Sequence, residues 1–173
     1  MNTDNFKKWV CTAIEMEEKG RKFYAEAAKQ CVPGLGKDIF SMLRDDEVRH
    51  VQRIREIEKA LSSGDDPEEA CVLPDQPMDA GKVFKEMAAR SETSKACAGT
   101  LKALNTGIDF ELALVKFYED ALERAQGEIE KEFLKKMIQE EKSHYILLTD
   151  LNYYYEDPEG WSMGQDRAGL DGA

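Results

Sequence analysis

The segment DDEVRH (45–50) has a counterpart in EEKSH (140–144), and these two segments contain both histidines of the 173-residue chain. In each segment a glutamate stands three residues before the histidine, as Glu47 does before His50. Side chains three residues apart lie on the same face of a helix. The fold therefore depends on whether that face is exposed or buried.

The apolar residues around both segments indicate that this face is buried. They recur in steps of three and four residues, which is typical of the inner stripe of a helix. When that spacing is continued through each gap, it falls on the glutamate and the histidine. Single glutamates, Glu17 and Glu111, interrupt apolar stripes in two further segments. The stripes around the two Glu-x-x-His segments are Phe40, Leu43, Ile54, Ile57 and Leu61, and Leu134, Met137, Leu148 and Leu151.

Segments rich in Gly, Pro and Asp separate long helical patterns. Short turns join antiparallel neighbours, whereas the connection between the second and third long helices is long enough to cross a bundle. The sequence therefore predicts an all-α four-helix bundle of two hairpins over residues 1–156, with 157–173 as an extended C-terminal tail. The predicted helices cover 5–30, 37–62, 96–125 and 128–154, with a shorter helix in the crossover within 79–92.

The two hairpins repeat one another, which supports this architecture. Glu17 and Glu47 are 30 residues apart, and so are Glu111 and Glu141. A shift of 94 residues superimposes Glu17 on Glu111, Phe23 on Phe117, Tyr24 on Tyr118, Asp46 on Glu140, Glu47 on Glu141, and His50 on His144.

Four glutamates and two histidines are thus predicted to point into the bundle at one level. Buried carboxylates cost several kcal/mol per ion unless they are compensated, and no Lys or Arg occupies the facing positions of these stripes. Carboxylates and imidazoles together suit first-row metals such as Fe, Mn or Zn. A single Glu-x-x-His pair would be typical of an exposed helix surface, but the repeated set favours a metal site. The candidate ligands are Glu17, Glu47, His50, Glu111, Glu141 and His144.

Four neighbouring side chains extend this prediction. Tyr24 and Tyr118 each follow their glutamate by seven residues and share its face. Each is either a hydrogen-bond donor to a metal-ligating carboxylate across the bundle or an ordinary core aromatic. Asp46 and Glu140 are candidate partners of the histidine nitrogens, but we favour solvated positions for both.

Composition excludes several classes of function. The net charge of −11, from 24 basic and 35 acidic residues, argues against a nucleic-acid partner. No apolar run approaches the ~18 residues of a membrane span or resembles a signal peptide. We therefore expect a cytoplasmic protein with no membrane partner. Its four cysteines form no CxxC pair, and we predict isolated thiols. The aromatic-rich last helix favours a homodimer.

The segments EMEEKGRKFY (15–24), DDEVRH (45–50), DFELALVKFY (109–118) and QEEKSH (139–144) together resemble the rubrerythrin branch of the ferritin-like superfamily over about 5–154. Two helices with a lone Glu and two with Glu-x-x-His are the known pattern of ferritin-like di-iron and di-manganese proteins. The resemblance implies two irons per chain, with Mn or Zn as alternatives. It also implies that Glu47 and Glu141 bridge the metals.

What the resemblance implies for function is a di-iron oxidoreductase, peroxidase-like or ferroxidase-like, that reduces peroxide or dioxygen. The cysteine pairs of a rubredoxin domain are missing from these residues, so the electrons would come from an external donor such as a rubredoxin. Rubrerythrins also tend to carry a further carboxylate on the third long helix, where Phe110, Ala113 and Leu114 are the candidate positions here. Two alternatives stay open: an iron-handling protein without turnover, and a bundle that a structural metal stabilises.

Overall fold

The computed structural model describes residues 3–63, 78–91, 96 and 99–161, and every structural statement below concerns those residues. They form helices, and no strand occurs among them. The helices are α1 (Thr3–Gln30), α2 (Leu35–Ser63), α3 (Ala80–Arg90), α4 (Thr100–Arg124) and α5 (Glu128–Glu156). The predicted all-α four-helix bundle with a short crossover helix is confirmed.

The bundle consists of two hairpins, since α1 packs chiefly on α2 and α4 chiefly on α5. At the second turn, Glu130 joins the start of α5 to the rest of the fold. Its Oε2 accepts hydrogen bonds from the backbone N–H groups of Gln126 (3.3 Å) and Gly127 (3.5 Å). Its Oε1 accepts one from Trp9 Nε1 on α1, at 3.0 Å. This carboxylate therefore caps one helix and ties it to the other hairpin.

The crossover helix α3 packs against α5. Asp79 begins it by accepting a hydrogen bond from the N–H of Lys82 at 3.0 Å, which satisfies an N-terminal donor of the helix. The ring of Phe84 is buried between Tyr154, at a centroid distance of 6.1 Å, and Trp161, at 5.5 Å. The aromatic side chains of Tyr154 and Trp161 thus pack within the protein.

Two boundaries differ from the predicted ones. Helix α4 begins at Thr100 rather than at residue 96, because Gly99 adopts φ 87°, a left-handed conformation that ends the helical path on its N-terminal side. Residues 158–161 form a short helical turn rather than an extended tail, since Trp161 is drawn back onto Phe84. The remainder of the predicted tail, 162–173, lies outside the described residues.

The apolar core is divided into two clusters, one toward each end of the bundle. One contains Trp9, Ile54 and Phe133, and the other contains Phe40 and Phe84. The charged residues of the predicted centre lie in the layer between them. None of the described helices is long and apolar enough to cross a membrane.

Candidate metal centre

The six predicted ligands converge in the middle of the bundle, and each is buried. The four glutamates have no exposed surface, and the two histidines have 2% and 1%. The lone glutamates lie on the first helix of each hairpin and the Glu-x-x-His pairs on the second, so all four long helices contribute. The set is Glu17 on α1, Glu47 and His50 on α2, Glu111 on α4, and Glu141 and His144 on α5.

The Nδ1 atoms of both histidines face the carboxylates. His50 Nδ1 lies 3.2 Å from Glu17 Oε2 and 3.2 Å from Glu141 Oε1. His144 Nδ1 lies 3.1 Å from Glu141 Oε2 and 3.6 Å from Glu111 Oε2. The two imidazole rings are nearly parallel, at 21°, with centroids 5.6 Å apart. Glu141 therefore lies within reach of both histidines, at the centre of the cluster.

Each hairpin supplies a tyrosine that holds a glutamate of the other hairpin. Tyr24 on α1 donates a hydrogen bond to Glu111 Oε1, and Tyr118 on α4 donates one to Glu17 Oε1. Both phenols are fully buried, and burial together with the neighbouring carboxylate charges raises the pKa of each well above its usual range. They therefore stay protonated as donors. Of the two interpretations of these tyrosines, the hydrogen bond across the bundle is the one observed.

The expectation that Asp46 and Glu140 are solvated is wrong. Glu140 Oε2 lies 2.6 Å from the outer nitrogen, Nε2, of His50, and Asp46 Oδ2 lies 3.3 Å from Nε2 of His144. Asp46 is buried, and its other oxygen forms an ion pair with Arg49. Their shared offset of 94 residues was the signal that they act as a pair. A carboxylate on the outer nitrogen orients the ring and directs the inner nitrogen toward a metal.

Electrostatics in the cluster couple the carboxylates to the histidines. Burial raises the pKa of Glu111 to about 7 despite the nearby His144 and the hydrogen bond from Tyr24, and burial with the charge of Glu17 raises the pKa of Glu47. Burial alone would lower the pKa of both histidines, but the carboxylate charges raise the pKa of each above its usual range. Burial alone would also raise the pKa of Glu141, but the two histidines hold it well below its usual range. Protons therefore substitute for a cation here.

The residues fit a metal by an independent criterion, the satisfaction of their polar atoms. Buried oxygens are nearly always hydrogen-bonded. Among the described residues, four carboxylate oxygens here are buried without a hydrogen-bond partner: both of Glu47, Oε2 of Glu111 and Oε1 of Glu141. No described Lys or Arg forms an ion pair with the four glutamates; their charged neighbours are the histidines. The donor atoms fall into two overlapping groups, each within 4.8 Å, and the groups share Glu141: Glu47, Glu111, Glu141 and His144, and Glu17, His50 and Glu141.

A glycine allows the helices to approach closely beside this cluster. A Cβ at Gly20 on α1 would lie 2.7 Å from Cε1 of Phe110 on α4 and 3.2 Å from Cδ of Glu47. Distances that short are not tolerated without a shift of the neighbours. Gly20 therefore helps to place Glu47, a role that the sequence pattern did not indicate.

The position of a further carboxylate on α4 is apolar here. Leu114 has no exposed surface and packs in the apolar core, one turn after Glu111, whereas Ala113 is exposed and Phe110 is half-buried. Of the three candidate positions, Leu114 is thus the one that faces inward fully. The cluster ends on this side at a hydrocarbon side chain.

By class, the fold and the cluster define a ferritin-like four-helix bundle with a buried carboxylate–histidine site that is able to hold metal. The family model described as Rubrerythrin matches residues 8–152, and the chain therefore belongs to the rubrerythrin family. The matched region includes all six candidate ligands. Comparison with curated proteins and with solved structures found no match.

Proposed function

We propose that this protein is a di-iron oxidoreductase that reduces peroxide or dioxygen with electrons from an external donor such as a rubredoxin. The observation that carries the proposal is the fully buried set of four glutamates, whose unpartnered oxygens face two histidine Nδ1 atoms. Four carboxylates balance the charge of two divalent ions, and first-row metals accept this mixture of oxygen and nitrogen donors. Membership of the rubrerythrin family favours iron.

The residues of the chain prepare and hold the site. Asp46 and Glu140 accept hydrogen bonds from the Nε2–H groups of the histidines, so that each Nδ1, once it has lost its proton, would present its lone pair to a metal. Tyr24 and Tyr118 keep Glu111 and Glu17 oriented without titrating. Iron, if held by these six ligands, would supply the redox chemistry of the reduction. The apolar clusters on both sides restrict water.

One observation favours the second candidate function, an iron-handling protein without turnover. The inward position on α4 after Glu111 is Leu114, which offers no seventh carboxylate. Under this second function the same six ligands would bind iron, and a single oxidation would end the process. The remaining parts of the proposal are a homodimer and a cytoplasmic location; light scattering of the purified protein tests the dimer.

The experiment begins with the metal content of protein purified without added metal. Stopped-flow mixing of anaerobically iron-loaded protein with hydrogen peroxide follows. Repeated cycles of oxidation and re-reduction by a donor support the oxidoreductase, whereas one stoichiometric oxidation supports iron handling. Four carboxylates would balance the charge of two divalent ions, so both candidate functions predict about two irons per chain. Failure to bind them would contradict both functions.

Variants assign the ligands. Glu47→Ala and His144→Ala are expected to lower the metal content, because each removes a donor from the centre. Glu119→Ala is the control, because Glu119 is about half exposed and pairs with Lys142 at 2.9 Å on the surface. Equal metal content in all three variants would contradict the ligand assignment.

A further inference from the structure

A groove of about 580 Å³ lies between α2 and α5 and reaches the centre from outside. Its walls include both histidines together with Asp46 and Glu140, the acids on their outer nitrogens. The four inner glutamates are not part of its lining. The imidazole rings therefore separate this groove from the carboxylates of the centre.

Beside the centre, the opposite face of the bundle, between α1 and α4, is covered by aromatic side chains, and a cavity of about 220 Å³ on that face is lined by none of the six candidate ligands. Phe110 packs where Gly20 leaves no Cβ, and Phe23 packs where Gly107 does the same: a Cβ there would lie 3.4 Å from the Phe23 ring. Phe117, the repeat counterpart of Phe23, is half-buried in this face too. A hydrated cation crosses such a surface only at a large cost in solvation free energy. The polar groove is the favourable route for an ion.

The charges of the groove single out Glu140. Arg49 forms an ion pair with Asp46, and Arg53 forms one with Glu56 at 2.9 Å. Both guanidinium groups are thus neutralised by neighbouring acids. Glu140 contacts His50, and its side chain is 25% exposed, compared with 7% for Asp46. Among the described residues it is the groove carboxylate without an arginine partner, so an incoming cation can reach its oxygens without displacing a guanidinium group.

An ion cannot pass between the two histidines as they stand. Their nearly parallel rings have centroids 5.6 Å apart, whereas an atom between two rings needs about 3.5 Å on each side, or about 7 Å in all. One ring has to turn. Asp46 holds His144 while Arg49 holds Asp46, but Glu140 holds His50 with no such anchor. Among the described residues, the Glu140–His50 pair is therefore the one that can move without breaking an ion pair with an arginine.

We propose that divalent metal enters the centre through the groove between α2 and α5, with Glu140 as the carboxylate that receives the ion and with the Glu140–His50 pair moving aside to admit it. This inference rests on the proposed function in one respect, namely that the centre binds metal. It assigns to Glu140 a second task beyond the orientation of His50.

A route has a kinetic signature that differs from the loss of a ligand. An obstacle in the groove changes neither the free nor the loaded end state, so it slows association and dissociation by the same factor and leaves the affinity unchanged. A lost receiving carboxylate slows association and reduces its dependence on salt, because attraction of the cation is screened by ions. A residue that only orients a ligand would instead raise the dissociation rate.

The test is stopped-flow binding of Co²⁺ to the metal-free 173-residue chain, followed by its visible absorption, together with equilibrium titration. Gln52→Trp fills the groove with a side chain that takes no part in the centre. Gln30→Trp is the matched control, since Gln30 is exposed at the end of α1. We expect Gln52→Trp to slow association and dissociation about ten-fold each at unchanged affinity, and Gln30→Trp to change neither.

Glu140→Gln is the second variant, with Asp46→Asn as its counterpart in the other half. We expect Glu140→Gln to slow association several-fold and to weaken its salt dependence, and Asp46→Asn, which removes the acid that orients His144, to raise the dissociation rate. Unchanged rates in Gln52→Trp would overturn the proposed route of metal entry. So would a weaker affinity of Glu140→Gln that arises from faster dissociation alone. Absence of Co²⁺ binding by the wild-type chain would instead contradict the proposed function.

Discussion

The metal-free protein should lose stability as the pH rises from about 5 to 8. Without metal, the carboxylates of its centre are neutralised by protons, and these protons dissociate over that range. Glu111 carries the clearest part of this effect. Its pKa rises from 4.5 to about 7 on burial. The folded state therefore binds this proton more tightly than the unfolded chain does, and the contribution is present below pH 4.5 and lost as the pH passes 7.

The other groups of the centre set the limits of this window. The pKa of each histidine is raised above the usual 6.5, so their contribution is complete below pH 6.5 and is lost as the pH rises through the folded value. The pKa of Glu141 is lowered from 4.5, so its contribution is present above pH 4.5 and is lost as the pH falls. The melting temperature of the metal-free protein should therefore be highest between the usual pKa values of glutamate and histidine.

The magnitude follows from Glu111→Gln, which keeps the shape and removes the charge. A rise from 4.5 to about 7 corresponds to about 3 kcal/mol of unfolding free energy at pH 8. For a chain of this length that is roughly 6 to 12 °C in melting temperature. The variant should melt higher than the wild type at pH 8 and equally at pH 4, with chelator present at both.

The assay is thermal unfolding followed by far-ultraviolet circular dichroism, with metal content measured on the same samples. Glu119→Gln, on the surface, is the control and should stay within about 0.5 kcal/mol of the wild type at both pH values. A metal-free wild type that melts higher at pH 8 than at pH 5 would refute this reasoning. So would an equal effect of Glu111→Gln at pH 4 and pH 8.

Four further substitutions probe the surroundings of the centre. Tyr24→Phe and Tyr118→Phe each leave a buried carboxylate oxygen without its donor and should cost about 1–3 kcal/mol in urea unfolding, with similar values for both because the contacts are equivalent; a difference above 2 kcal/mol would contradict that equivalence. Gly20→Ala, whose Cβ would lie 2.7 Å from an aromatic carbon on α4, should cost about 1–3 kcal/mol and weaken Co²⁺ binding, while Gly81→Ala, whose nearest atom is 3.8 Å away, should change neither. Phe84→Ala removes the ring that joins α3 to α5 and should cost about 3–5 kcal/mol in the same assay without lowering metal stoichiometry; a loss of bound metal would show that the crossover supports the centre.

The helical pattern predicted the bundle and the convergence of the six ligands, because periodicity reports which face of a helix is buried. Phe40, Leu43, Ile54 and Ile57 are all fully buried, and Glu47 lies among them as the spacing indicates. Periodicity does not report what a helix edge meets on its neighbour. The contacts of Asp46 and Glu140 with histidines of the other hairpin depend on the relative rotation of α2 and α5, which no pattern within one helix contains.

The start of α4 shows a second limit, one of backbone conformation. Helical periodicity extends back to residue 96, but the left-handed φ of Gly99 makes the helix begin four residues later, at Thr100. Gly20 presents the same difficulty in packing, since a glycine within a helix is ordinarily only a weak former. Because Gly20 lacks a Cβ, it leaves room for the aromatic ring of Phe110, which is 90 residues away in the sequence.

The contacts between the two hairpins limit which substitutions the chain can accept during evolution. In each hairpin, the tyrosine that contacts the lone glutamate and the acid that contacts the histidine come from the other hairpin. Two identical copies of one hairpin could form the same contacts with each other. A symmetric dimer of one hairpin is therefore the expected ancestor of this duplicated sequence. After duplication, a substitution at Tyr24 is felt first at Glu111, in the other half. The residues of the centre in the two halves are therefore constrained to change together, even where the surface residues have diverged.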